Sequence, residues 1–287
     1  MNKQPVIILG MGRSGTSMLS RLLESLGLFV GKDKRGGNNE SWFFYRLNDW
    51  MLRCANATWD NPHNFNFIDD QFREDFSRVA ESHMRGIGRV NYLGWKNALK
   101  YRDIKDIDFP WGWKDPRNTF TIDVWKEIFP ECKVVHIYRH PLDSAESARY
   151  GKESNKVKKK RNWRWGVREA LLLRVGYQLS ARTGNIHEAI KLWEEYLVKA
   201  LSWTDVFGDN IHHVRYESLL EDPMPVMQEL LQFIDMPAAE AEISRVIQDI
   251  NPDRKYAFLR NPELVNIYEK MRHSELMQQL GYSDISI

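Results

Sequence analysis

The sequence predicts an α/β fold with a central parallel sheet flanked by helices and two long helical insertions. Three segments carry this prediction, because each is a short apolar run that leads into a turn and then into a helical pattern. These segments begin at Val6, Cys132 and Ile211. Strands that alternate with helices build parallel sheets, since every crossover returns the chain to the same edge. A single domain over residues 1–287 accommodates the pattern.

The first strand runs from Val6 to Leu9 into a glycine-rich loop, and a helix is predicted over Met18–Leu26. Glycines let the backbone turn tightly and bring its N–H groups up to an anion, and the positive end of the following helix attracts that anion. Hydroxyl groups in the loop add further donors. The loop therefore predicts a phosphate site built from Gly12, Arg13, Ser14, Gly15, Thr16 and Ser17.

The loop departs from the pattern of nucleotide triphosphatases at one decisive position. Their loop reads G-x-x-x-x-G-K-[ST], whereas here the lysine position is Thr16, and Arg13 stands two residues before Gly15. A β/γ-phosphate with its Mg²⁺ would lose its usual lysine partner. The site therefore suits a 5′-phosphate that carries another transferable group. A P-loop nucleotide kinase, which also needs Mg²⁺-binding acids after a second strand, is the less favoured alternative.

The second strand is expected to present another phosphate contact. It covers Cys132 to Tyr138 and reads as a buried parallel strand, with Arg139 at its carboxyl end. Pro141 suits the first position of the helix that follows. Ser147 comes eight residues after Arg139 on that helix, so both side chains are predicted to meet one phosphate at the crevice where open α/β sheets bind ligands.

These motifs resemble those of sulfotransferases that use 3′-phosphoadenosine 5′-phosphosulfate (PAPS). The loop residues 12–16 match the core that holds the 5′-phosphosulfate, and Arg139 with Ser147 matches the pair that holds the 3′-phosphate. Tyr216 begins a segment similar to the one whose tyrosine lies near the adenine. The residues around Lys114 are similar to the Lys-Asp-Pro element of tyrosylprotein and bacterial sulfotransferases. The resemblance, closest to the bacterial glycan-associated branch, implies a P-loop-like three-layer fold and PAPS as co-substrate.

The resemblance also implies which side chains perform the chemistry. Sulfuryl transfer is an in-line displacement in which negative charge builds on the oxygen that joins the sulfate to the departing 5′-phosphate. Arg13 and Lys114 are the expected cations at that oxygen. An arginine keeps its protons, so protonation of the leaving group, where needed, falls to Lys114.

The general base is left open by the sequence. Lys114-Asp115-Pro116 stands where cytosolic family members carry a histidine, so a carboxylate is expected. Glu40 lies in the loop after the first helix, where tyrosylprotein sulfotransferases carry their catalytic glutamate. The same residue could instead cap a helix that starts near Trp42. Asp115 and a histidine such as His63 remain alternatives.

Two helical insertions are predicted, at about residues 42–88 and 155–207. The second begins with a basic run over residues 156–168, which by default forms a solvated helix face. The alternative is that this basic segment binds an anionic acceptor such as a glycan. The net charge of +2 argues against nucleic acid as the main partner.

The remaining expectations concern the setting and the acceptor. No apolar run approaches the length of a membrane span, the N-terminus enters the first strand directly, and Cys54 and Cys132 are expected to be free thiols, so a cytoplasmic protein is predicted. The histidines show no ligand spacing, so no metal is expected. The resemblance favours a carbohydrate or glycoconjugate acceptor, and Trp42, Trp111 and Trp113 offer aromatic faces to sugar rings. A non-catalytic nucleotide-binding protein, which could dispense with Lys114, is the second alternative.

Overall fold

The computed structural model describes residues 3–158 and 180–287. For residue 35 and for residues 150–158 it describes the backbone alone. The chain divides into two compact units. One comprises residues 1–139 and 195–256, and the other comprises residues 140–194 and 257–287.

A four-stranded parallel sheet forms the centre of the first unit, with the strand order β4-β1-β5-β6. This sheet and the helices around it confirm the predicted fold class. The strands are short and mostly buried, as expected for a sheet covered by helices on its faces. In the pairing register, Ile8 lies opposite Lys114, and Leu9 lies opposite His136. The strands are β1 (Val6–Leu9), β4 (Gly112–Lys114), β5 (Lys133–Tyr138) and β6 (Ile211–Arg215), and a separate hairpin pairs β2 (Lys34–Arg35) with β3 (Glu40–Ser41).

Helices connect the strands of the first unit and cover the sheet. The loop after β1 leads into α1, and the hairpin leads into α2, whose first turn is capped by the Ser41 side chain, which accepts a hydrogen bond from the Phe44 N–H. The bounds are α1 (Thr16–Ser25), α2 (Trp42–Cys54), α3 (Asp70–Arg85), α4 (Arg89–Lys100) and α5 (Asn118–Ile128), with later helices at Thr204–Phe207, Tyr216–Glu221, Pro223–Phe233 and Glu240–Ile247.

The second unit contains α6 (Pro141–Lys158), which begins at the predicted proline. The helix Ile186–Ser202 begins in this unit and continues into the first. The chain ends in two helices of this unit, Pro262–Met271 and Glu275–Gln279. Ser274 adopts an extended backbone at the start of the second helix, a conformation that interrupts a helix and restarts it. The basic run 159–168 lies outside the described residues.

The core beside the sheet is unusually aromatic. The Phe44 ring stacks on the Trp113 ring with centroids 3.8 Å apart, and Trp111 and Trp125 pack around them. Trp111 and Trp113 are both fully buried. The expectation that these two indoles offer faces to sugar rings is therefore wrong, because other core rings cover them.

Candidate active site

The candidate site residues of the first unit gather at the carboxyl ends of the parallel strands. The glycine-rich loop follows β1, Lys114 ends β4, Arg139 follows β5 and Tyr216 follows β6. After β1 the chain places β4 on one side and β5 on the other, so the strand order reverses beside β1. Open α/β sheets bind ligands at such a reversal, because the loops on its two sides part and leave a crevice.

The loop after β1 depends on two glycines with positive φ. Gly10 has φ 131°, and a Cβ there would lie 2.3 Å from the Ile137 carbonyl oxygen. Gly15 has φ 102°, and a Cβ there would lie 2.4 Å from the Tyr216 ring. These close approaches admit only glycine. They also fix the loop directly against β5 and the start of the helix Tyr216–Glu221.

Arg13 is exposed and has φ 78°, a left-handed conformation that is uncommon outside glycine. Backbone strain of this kind is concentrated at functional sites. The structure therefore holds the one charged side chain of the loop at its surface.

The Ser14 and Ser17 hydroxyls of the loop bond to different backbone carbonyl groups. The Ser14 hydroxyl is buried and lies within donating distance of the Met11 and Ile137 carbonyl oxygens, at 2.7 and 3.0 Å. The Ser17 hydroxyl donates to the Asn38 carbonyl at 2.8 Å. In this structure both hydroxyls therefore bond to the protein itself. The first N–H groups of a helix lack partners within it, so the backbone N–H groups of Thr16 and Ser17 at the start of α1 are the candidate anion donors of the loop.

A buried ion pair stands at the end of β4. The Lys114 ammonium donates a hydrogen bond to Glu40 Oε1 at 3.0 Å, and the side chains are only 1% and 9% exposed. Burial lowers the pKa of Lys114, and the neighbouring Glu40 carboxylate opposes this shift. The structure thus brings together the two residues that the sequence proposed for leaving-group stabilisation and for the base.

The helix-cap alternative for Glu40 is wrong. Glu40 lies in β3, and the cap of α2 is its neighbour Ser41. Asp33 supports this corner, because its carboxylate accepts hydrogen bonds from the Ser41 hydroxyl and from the Phe43 N–H. The Glu40 side chain is consequently directed at Lys114 and has no part in the cap.

Asp115 accepts hydrogen bonds from other protein groups. It is buried, and its Oδ1 accepts two hydrogen bonds from Arg117, one from the backbone N–H and one from the guanidinium, both at 3.0 Å. Its Oδ2 accepts a hydrogen bond from the Asn48 amide at 3.1 Å. The packing therefore directs Asp115 at Arg117 and Asn48, whereas Glu40 is directed at Lys114.

Arg117 and Asn48 are parts of the site that the sequence reasoning did not assign. Arg117 stacks on the Tyr45 ring at 4.2 Å and lies 3.6 Å from the Asp49 carboxylate. Asn48 connects Asp115 to Asn118, Thr121 and Trp125. Arg117 could have been found from the sequence, because it directly follows the Lys-Asp-Pro element. Asn48 could be assigned only from the packing of α2 against α5.

Arg139 and Tyr216 meet on the other side of the loop. The Arg139 guanidinium lies 4.7 Å from the centre of the Tyr216 ring, and its Nη2 donates to the Arg254 carbonyl at 2.8 Å. The guanidinium is therefore held in one orientation next to the residue that packs on Gly15. Ser147 lies on α6, the helix that follows Arg139 in the chain.

Histidines contribute little to this site. His63 is exposed, and its ring lies edge-on against Phe67. His213 and His212 serve different faces of β6, because His213 contacts His136 at 2.8 Å while His212 packs on Phe233. Within residues 3–158 and 180–287 there is no group of three or more potential metal ligands, and no helix there is long and apolar enough to cross a membrane. Cys54 and Cys132 are free thiols.

The model of the Sulfotransferase family matches residues 5–240. The chain belongs to the sulfotransferase family. The matched range contains the glycine loop, the Lys114–Glu40 pair and Arg139, and the P-loop-like fold predicted from the sequence is confirmed.

Individual sulfotransferases and relatives are distant in sequence. A crystal structure of a sulfotransferase from Alicyclobacillus acidocaldarius shares 16% identity with a TM-score of 0.51, covering 99% of this chain and 98% of its own. A mouse sulfotransferase complexed with PAP shares 12% identity with a TM-score of 0.46, covering 99% and 91% of the two chains. An uncharacterized protein of Aquifex aeolicus (strain VF5) is 23% identical over 82% of this chain, which spans about a quarter (26%) of that relative's length.

Proposed function

We propose that this protein transfers a sulfuryl group from PAPS to a hydroxyl of a carbohydrate or glycoconjugate. The observation that carries the proposal is the buried Lys114–Glu40 pair at the carboxyl edge of the sheet. It places the Lys114 ammonium and the Glu40 carboxylate 3.0 Å apart, and Lys114 ends the strand that pairs with β1, which leads into the glycine loop. Family membership makes sulfuryl transfer the chemistry that such a pair serves.

The two members of the pair act on opposite ends of the reaction. The acceptor oxygen attacks sulfur, the bond between sulfur and the bridging oxygen breaks, and the bonding electrons remain on the 5′-phosphate. Lys114 and Arg13 stabilise that oxygen by charge, which matters most in the transition state. Glu40 takes the proton of the acceptor hydroxyl.

Donor binding is assigned to the loop and to the end of β5. The N–H groups at the start of α1 and the helix dipole suit the 5′-phosphate, and the loop lacks the lysine that a β/γ-phosphate needs. We assign the 3′-phosphate to Arg139 and Ser147, and the neighbourhood of the adenine to Tyr216. None of these contacts requires a metal. The two free thiols favour a reducing compartment, so we place the reaction in the cytoplasm.

The proposal is tested by binding and by transfer. Calorimetric titration should show tight binding of 3′-phosphoadenosine 5′-phosphate that is insensitive to Mg²⁺, and weak binding of ATP under the same conditions. Radiolabelled sulfate from PAPS should appear on a glycan in a screen that also contains phenols, steroids and tyrosyl peptides. Mg²⁺-dependent binding of ATP would support the kinase instead. Tight nucleotide binding without transfer to any acceptor would leave a non-catalytic binding protein.

A further inference from the structure

A second surface of the helical insertion has the make-up of a ligand site. A groove of about 490 Å³ lies elsewhere, against α1, but a larger one of about 880 Å³ opens between α2, α3 and α4. The larger volume falls within the range of small-molecule sites, roughly 300–1,000 Å³. We call it the aromatic groove, and its walls include Trp42, Arg46, Trp50, His83, Asn91 and Trp95.

The aromatic groove adjoins the residues of α2 that contact Arg117. Trp42, Arg46 and Trp50 recur every four residues and share one helix face. Tyr45 and Asp49, which contact Arg117, lie on the neighbouring strip of the helix, and the Tyr45 ring packs edge-on against the Trp42 ring with centroids 5.2 Å apart. The groove also begins next to the candidate base, because Trp42 is only two residues from Glu40. Their Cα atoms are at most about 7 Å apart.

Its indoles are exposed to a degree that packing does not explain. Trp95 is 74% exposed and Trp42 is 40% exposed, although burying such a side chain would stabilise the fold. Gly94 breaks α4 with φ 73° just before Trp95, and the helix resumes with that indole at the surface. Exposed aromatic residues gathered along one groove indicate a binding surface.

Hydrogen-bonding groups stand among these rings. Arg46 is exposed and lies 5.5 Å from the centre of the Trp42 ring. His83 Nδ1 donates to the Val79 carbonyl at 2.9 Å, and Nε2 is the second polar atom of the ring. Asn91 is exposed and offers both a donor and an acceptor. The groove therefore combines flat apolar faces with donors and acceptors.

We propose that the aromatic groove binds an oligosaccharide, whose rings stack on the indoles while its hydroxyls bond to the polar side chains. A sugar ring has an apolar C–H face and hydroxyls that each donate and accept, so it uses both kinds of group. An alkyl chain would use only the apolar part and would leave the charged groups without a role. This inference rests on the proposed function in one respect, that the bound chain continues into the acceptor whose hydroxyl meets Glu40.

Binding is measured first without any donor, by calorimetry on the full chain. The probes are cellohexaose, chitohexaose and xylohexaose, with dodecanoate as the alkyl probe. At least one hexasaccharide should bind, and Trp95→Ala should weaken that binding about tenfold or more, as expected for one lost stacking contact. Trp95→Phe should recover most of the affinity. Leu99→Ala is the matched control, since Leu99 is 82% exposed on the same helix and outside the groove.

Three results would overturn the inference. They are an absence of binding by all three hexasaccharides, equal hexasaccharide affinity in the protein and in Trp95→Ala, and dodecanoate as the only probe whose binding depends on Trp95. Transfer assays separate this inference from the proposed function. Trp95→Ala should raise KM for a hexasaccharide acceptor and leave kcat with a single-ring acceptor unchanged. Hexasaccharide binding that depends on Trp95, without sulfate transfer from PAPS, would contradict the proposed function and retain the groove.

Discussion

The glycine loop and the Lys114 segment serve the same candidate site but are built in opposite ways. The loop is contiguous in sequence, and it presents an exposed arginine and backbone N–H groups. The Lys114 segment is buried, and its partners come from far along the chain: Glu40 lies 74 residues away, and Asn48 lies 67 residues from Asp115. The groups proposed to bind the donor are therefore positioned by local backbone rules, whereas the pair proposed to react is positioned by tertiary packing.

The largest effect should come from Glu40→Gln. This change keeps the shape of the side chain but removes its ability to take a proton, so turnover should fall roughly 10²–10⁴-fold. Donor affinity should stay close to that of the unmodified protein, and the melting temperature should fall, because the Lys114 ammonium is left buried without its carboxylate partner. Ser41→Ala is the matched control, because it removes the true cap of α2. It should cost about 1 kcal/mol of stability and leave turnover unchanged. A slow Ser41→Ala and a normal Glu40→Gln would reverse the assignment.

Arg139→Ala should act on donor affinity. Losing a charged contact to the 3′-phosphate costs about 2–4 kcal/mol, which is roughly a 30- to 1,000-fold rise in the donor dissociation constant. Ser147→Ala should cost less. The control is adenosine 5′-phosphosulfate, which lacks the 3′-phosphate, since both proteins should bind it equally weakly. A loss of the same size with both nucleotides would mean that Arg139 only supports Tyr216.

Arg13→Gly tests the loop alone. Glycine accepts the positive φ at this position without strain, so the variant should melt no lower than the unmodified protein. Turnover should fall about a hundredfold, because a transition-state cation is lost. Affinity for 3′-phosphoadenosine 5′-phosphate should change little. Normal turnover would remove Arg13 from the chemistry and leave the loop as a binding element.

The smallest effect concerns alkaline pH. Burial lowers the pKa of Lys114 below its usual 10.5, so the protein loses this cation at a pH where an exposed lysine keeps it. Turnover should decline on the alkaline side with a midpoint below 10.5. Lys114→Arg, which stays charged, should show no such decline in its residual activity. The shift also has a stability consequence. A depressed lysine pKa disfavours the folded state at lower pH, and this penalty fades as pH rises from the folded pKa towards 10.5.

The sequence predicts the parts of the molecule that local backbone rules position, and it does not predict the parts that tertiary packing positions. The loop, the strand before Arg139 and the proline start of α6 obey local rules, and the structure places all three as predicted. Which carboxylate lies against Lys114 could not be predicted, because tertiary packing turns Glu40 towards it. The burial of Trp111 and Trp113 was missed for the same reason. Their spacing fits both a groove wall and a core, and Phe44 decides between them.

A double-mutant cycle on Lys114 and Glu40 tests most directly whether the two act as one catalytic pair. Single-turnover transfer of radiolabelled sulfate would be measured for Lys114→Met, Glu40→Gln and the double variant, with melting temperatures beside the rates. Lys114→Met alone should also destabilise the fold by about 3–5 kcal/mol, since it leaves Glu40 buried without its cation, and the double variant should recover part of this. If the pair acts as a unit, the double variant is about as slow as the slower single variant. Losses that multiply, or a single variant that transfers sulfate at the normal rate, would contradict the account.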